Sequence, residues 1–210
     1  MAGQSAVLSD DSLISKLDQK LERIESVMAF VSGLGAFCLM VLAVVSVSGR
    51  NMFNKPLPGY VDWIELAMPF IAIFGIAYVQ RSGGHIRMDI LVGRLKGRAL
   101  WAAEFITTFG ILILMLALIW GSWAHFDRSF DFGKPNWSRD SSIDIGLPIW
   151  PAKLVVPVAF SVMGLRVLIQ LWGYARAFVL GLERPVAVPL VQSVAEQAAE
   201  EAAHISGHDE

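Results

Sequence analysis

Asp62, Glu65, Glu104, Lys153 and Arg166 stand inside or at the edges of long apolar runs in a chain of 210 residues. Ionisable groups in such surroundings are costly, so they pair with one another or line a polar path. Spaced through a membrane, they would relay protons or cations. Paired at one level, they would only fix the order of helices. Depth arithmetic favours pairing. Arg166 falls about 14 residues, or roughly 21 Å, below the outer end of its run. Glu104 falls about 5 residues, or roughly 8 Å, above the inner end of its own. In a hydrocarbon layer of about 30 Å these levels nearly coincide, and a pair between Glu104 and Arg166 is expected. Snorkelling of Arg166 to the inner headgroups is the alternative. The same counting gathers Arg50, Asp62, Glu65 and Lys153 near the outer edge, where the carboxylates also suit the positive end of a helix dipole. Too few acidic groups continue through the midplane to form a conduction path, so this cluster is expected to be structural.

The elements that must hold these groups are membrane helices. Residues 27–47 contain no charge at all, and at about 1.5 Å per residue they cross a bilayer of about 30 Å. Further apolar runs cover 61–80, 99–123 and 152–175. The chain is 55% hydrophobic and 17% charged with a mean hydropathy of +0.54, which excludes an ordinary water-soluble domain. A net charge of −2 argues against nucleic acid as a partner. The single cysteine, Cys38, lies in the first run, where it reads as a small packing residue and permits no internal disulfide. The first run is too long for a signal-peptide core and no A-x-A site follows it, so it reads as an uncleaved anchor.

Lys and Arg set the expected orientation. The N-terminal segment, the second loop and the tail together carry ten basic residues, against five in the first and third loops. Both termini are therefore expected in the cytoplasm. The N-terminal segment, with the start of the first span, places Ile14, Leu17, Leu21, Ile24 and Met28 at alternating spacings of three and four. This predicts an amphipathic helix over 1–26 lying at the membrane interface among lipids, with packing on a partner as the alternative. The fold class is thus an all-α integral membrane protein: four transmembrane helices over 27–180, an interfacial helix before them, and a tail at 181–210 expected to be largely disordered.

Two loops have more specific chemistry. The second begins Arg81-Ser-Gly-Gly-His-Ile-Arg-Met-Asp, where Gly83 and Gly84 permit a tight turn. His85, Arg87 and Asp89 then offer polar contacts for docking or bracing. One His and one Asp are too few for a metal site. The third loop ends in Gly146-Leu-Pro148-Ile-Trp150-Pro, a rigid entry to the last span with Trp150 as interfacial anchor. No nucleotide loop, Cys/His metal spacing or paired nucleophile and base is present, so no catalytic, metal or cofactor site is expected. None of His85, His125, His204 and His208 lies deep in a span, which disfavours a haem-binding anchor.

These elements in this order resemble the small membrane subunit of tripartite ATP-independent periplasmic (TRAP) transporters, the DctQ-like group. The likeness rests on Arg50 followed by a short loop to Trp63 and Glu65, on Arg-x-Gly-Gly-His-x-x-x-Asp at 81–89, and on Gly-x-Pro-x-Trp at 146–150 with Arg166 beyond. It covers roughly residues 25–180 and leaves out both tails. It implies a non-enzymatic subunit of the bacterial inner membrane that braces a large permease subunit. That large subunit would hold the substrate and sodium sites, and a periplasmic substrate-binding protein would deliver an organic acid such as a C4-dicarboxylate. The substrate itself is not legible here. Rival readings are a membrane-anchor subunit of a respiratory enzyme and a self-sufficient small transporter.

Overall fold

Ser12 starts the first helix. Its Oγ accepts the Ser15 N–H at 3.4 Å, while Ser15 Oγ accepts the Asp10 N–H at 3.0 Å. The first bond occupies a donor that a helix start leaves unsatisfied, and the second ties the preceding chain to the first turn. Helix α1 then runs over Leu13–Phe53, 41 residues or about 61 Å. It stops where Asn54 turns left-handed and the Lys55 N–H returns to the Gly49 carbonyl at 3.2 Å.

The second span is broken. α2 covers Tyr60–Phe74 and α3 covers Ile76–Arg81. Pro69 has no N–H to offer the Glu65 carbonyl, and the Gly75 N–H turns to Ile73 O. Ile71 O would accept that N–H in an unbroken helix; instead it accepts Ser32 Oγ–H from α1 at 2.8 Å. A freed carbonyl in a membrane segment must find such a partner, and a small hydroxyl on a neighbouring helix supplies it.

α4 spans Arg98–Ser129 and α5 spans Trp150–Leu180, with a short 3-10 turn at Pro135–Trp137 between them. Leu13–Phe53, Tyr60–Arg81, Arg98–Ser129 and Trp150–Leu180 are each long and apolar enough to cross a membrane, and each contains one expected span. Pairing outside helices is limited, among the described residues, to isolated bridges from Phe130 to Ser138 and from Ser141 to Pro148. The computed structural model describes residues 7, 10–55, 57–81, 97–181 and 186–188.

The chain divides into two compact units. The first comprises 1–20, 79–111 and 166–210. Its core joins Trp101 of α4 with Tyr174 and Ala177 of α5 and with Val188. The indole and phenol rings stack at 6.2 Å. The second unit comprises 21–78 and 112–165, and is built around the contact of α1 with α2 and the loop from α4 to α5.

Two expectations change. Residues 13–26 are no separate interfacial helix, because α1 continues through them without a break. The buried face of this segment also differs from the apolar stripe: Ile14, Leu21, Ser15, Asp18 and Glu25 are buried, while Leu17 and Ile24 are about half exposed. The tail, expected to be largely disordered, contains an ordered piece. Ala187 and Val188 are buried, and a Cβ on Gly173 would stand 2.7 Å from Val188 Cγ1. The missing side chain opens a seat on α5 that takes in residues a tally of apolar content had passed over.

Candidate functional site

Asp18 organises the first unit. Its Oδ2 accepts Arg81 Nη2–H at 3.0 Å, and its Oδ1 accepts Arg166 Nη1–H. Arg166 Nη2 also reaches the Asp18 carbonyl at 3.5 Å. Asp18 and Arg166 are 2% and 0% exposed, so each charge is compensated away from water. One turn further along α5, Gln170 Oε1 accepts Gln80 Nε2–H at 2.9 Å while Gln170 Nε2–H donates to the Gln80 carbonyl at 3.2 Å. The four-residue spacing of Arg166 and Gln170 puts both on one face of α5, against adjacent residues at the end of α3. This arrangement clamps the start of α1, the end of α3 and α5 together.

Asp62 organises the second unit. Its Oδ2 accepts Ser142 Oγ–H at 2.6 Å and the Ile145 and Asp144 N–H groups at 2.9 and 3.1 Å. Ser142 Oγ accepts the Leu147 N–H at 2.9 Å in turn. The first turn of α2 thus pins the loop between α4 and α5. Gly59, just before α2, has φ +70°, and a Cβ there would lie 2.6–2.8 Å from Ile145 side-chain atoms. Only glycine allows this approach.

The rest of the loop is held by charge and by rings. Ser129 Oγ–H donates to Asp140 at 2.5 Å, and Lys153 Nζ donates to Asp140 at 2.9 Å and also to Ser129 Oγ. The Ser129 hydroxyl, and then Lys153, hold the Asp140 carboxyl below its ordinary range. The Gly133 N–H, and then Arg139 at 3.1 Å, do the same for Asp131. Phe130 meets Trp150 edge-on at 5.4 Å, and Trp150 Nε1–H donates to the Asn136 carbonyl at 2.9 Å. Such rings suit the boundary between lipid and water.

The candidate residues sort as follows. Arg81 and Arg166 are brought together by Asp18, which the sequence reading had placed on a lipid-facing helix. Its position between Ile14 and Leu21 on one helical face was the available signal. Glu104 is buried in α4 of the same unit. The outer cluster is not the ionic knot expected: Asp62 binds backbone and Ser142, Lys153 binds Asp140, and Arg50 is exposed. The reason is that the loop supplies N–H donors closer than any ammonium. Trp63 is half exposed on α2. Gly146 takes a left-handed turn, Pro148 pairs with Ser141, and Trp150 opens α5. Gly84, His85, Arg87 and Asp89 lie outside the described residues. Asp18, Gln80, Ser142 and Gln170 were missed, since none forms a local motif.

A groove of about 210 Å³ in the second unit is lined by Glu65, Leu66, Pro69, Ser142, Ile149, Ala152, Lys153 and Val156. Among the described residues no group of His, Cys, Asp or Glu could hold a metal ion. The contacts described brace helix ends and the loop.

Residues 39–177 match the family described as tripartite ATP-independent periplasmic transporters, DctQ component. The chain is also similar to the ectoine TRAP transporter small permease protein TeaB of Halomonas elongata. The two are 27% identical over 160 residues, which is 75% of this chain and 74% of that protein. The match covers the Asp62 anchor, the loop and Arg166, and with the four spans it places the chain among multi-pass proteins of the bacterial inner membrane: it belongs to the DctQ component family of TRAP transporters.

Proposed function

We propose that this chain is the scaffold subunit of a sodium-driven secondary transporter that imports an organic acid. It works with a large permease subunit and a periplasmic substrate-binding protein, and both its termini face the cytoplasm. One observation carries the scaffold reading. Arg166, a full charge inside a span, is committed to Asp18 of the same chain, which favours holding helices over handling a solute. The family membership supports the partnership, and the resemblance supports sodium coupling on the large subunit. The curated relative is named for ectoine, so ectoine is tested beside C4-dicarboxylates and sugar acids. A respiratory anchor is not favoured by a transporter family match.

The test is uptake into vesicles. Sodium-dependent accumulation of a carboxylate is expected only when this chain, a large permease subunit and a loaded binding protein are all present. Uptake by this chain alone, or undiminished uptake without it, would overturn the reading.

A further inference from the structure

We infer that the groove between α2 and the start of α5 is a binding site for a zwitterionic, amine-bearing phospholipid. Glu65, Leu66 and Pro69 descend one wall, and Ile149, Ala152, Lys153 and Val156 descend the other. Glu65 is the sixth residue of α2 and Lys153 the fourth of α5, so the groove begins where both helices enter the membrane. Its polarity is graded. Ser142, Glu65 and Lys153 lie toward the loop, whereas Pro69 and Val156, one turn further along their helices, are apolar. A headgroup followed by an acyl chain has the same gradient.

The charges select the headgroup. Glu65 is exposed and has no ion pair among the described residues. A carboxylate at the edge of hydrocarbon favours a cation beside it. The Lys153 ammonium has three N–H donors, of which Asp140 and Ser129 take two. The third is available to a phosphate oxygen. An ammonium at Glu65 with a phosphate at Lys153 describes a phosphatidylethanolamine. An anionic lipid would satisfy Lys153 but meet Glu65 with repulsion. A basic side chain from a protein partner would satisfy Glu65 yet leave the apolar walls and the Lys153 donor unmatched. This site depends on the chain lying in a membrane and not on which solute the transporter carries.

The test is lipid retention by the purified full-length chain, with any subunit that co-purifies. Native mass spectrometry follows exchange into detergent containing equal phosphatidylethanolamine and phosphatidylglycerol. The wild type is expected to retain phosphatidylethanolamine better by up to about fivefold, the upper end of what one exposed charge contact provides. Glu65→Gln is expected to bring the two lipids to parity, and Val156→Phe to lose both while circular dichroism stays unchanged. If Val156→Phe does not fold, Glu65→Gln decides alone. Equal retention of both lipids by the wild type, or an unchanged ratio in Glu65→Gln, overturns the proposal. So does a photo-crosslinker at Leu66 that captures a protein segment instead of lipid.

Discussion

Asp18 and Arg166 are 148 residues apart in the chain and form a buried ion pair in the first unit. A guanidinium or a carboxylate taken out of water is costly unless an opposite charge stands beside it. Each makes the other's position tolerable. Arg81 completes the arrangement at 3.0 Å and ties it to the end of the second span.

Removing Asp18 takes an anionic partner from the buried Arg166 and is expected to cost up to about 3–5 kcal/mol, whereas removing Arg166 should cost less because Asp18 keeps Arg81. Asp18→Asn and Arg166→Gln should each lower the denaturation midpoint of the purified protein. The double variant should cost less than the sum of the two. Glu104→Gln, run in the same cycle, shows whether the second buried carboxylate of that unit also couples to Arg166. Strict additivity between positions 18 and 166 would rule the pair out.

The loop is expected to loosen when its anchor is removed. Asp62→Ala leaves the Ser142 hydroxyl and two N–H groups without their acceptor, and hydrogen bonds to a charged group contribute about 1.5–3 kcal/mol each. Hydrogen exchange at Asp144 and Ile145 should accelerate by at least about tenfold, with the helices unaffected. Unchanged exchange there would mean that Asp62 does not anchor the loop.

Acid should release the loop in a defined direction. The Asp131 and Asp140 carboxyls titrate below their ordinary value of 3.8 in the folded protein. Their stabilisation is therefore fully present above that value and is lost as the pH falls through the lowered folded values. Fluorescence of Trp137 and Trp150 should stay constant from neutrality down to about pH 4 and change only below it. Asp140→Asn should remove part of that acid transition. A transition centred near pH 6 would implicate other groups.

Filling the seat under Val188 is expected to expel the tail. Gly173→Val places a branched side chain where the Val188 methyl now sits, and overpacking of this kind costs about 1–3 kcal/mol. Limited proteolysis should then cut after residue 181 in the variant before the wild type. Gly173→Ala should show the same effect more weakly. Equal cleavage in all three would show that the tail does not depend on this contact.

Orientation has its own check. In a Cys38→Ala background, Ile143→Cys should react with an impermeant maleimide from the periplasmic side, since Ile143 is 95% exposed. Ile90→Cys should be spared. The reverse pattern would overturn the topology inferred from Lys and Arg.

The four spans were legible from composition, because hydrocarbon allows only segments that satisfy their own backbone, and such segments must be long and apolar. Residues 27–47 could be little else. Arg166 was equally visible as a charge needing a partner. That Asp18 is among its partners was not visible, since Asp18, Glu104 and lipid phosphates all meet that need at the level of composition. Asp18 is reached only because α1 continues through residue 26 and carries it to the end of α3 and to α5. Asp62 looked like one member of an ionic cluster; the loop made it an acceptor for two backbone N–H groups. Backbone donors have no signature in residue type, so their positions follow only from the path of the chain. Gly173 and Val188 carry the same lesson, because an empty Cβ position is useful only once the tail turns back onto it. Apolar length is written residue by residue, but the pairing of distant polar groups belongs to tertiary structure, where a buried charge takes the nearest geometry that neutralises it.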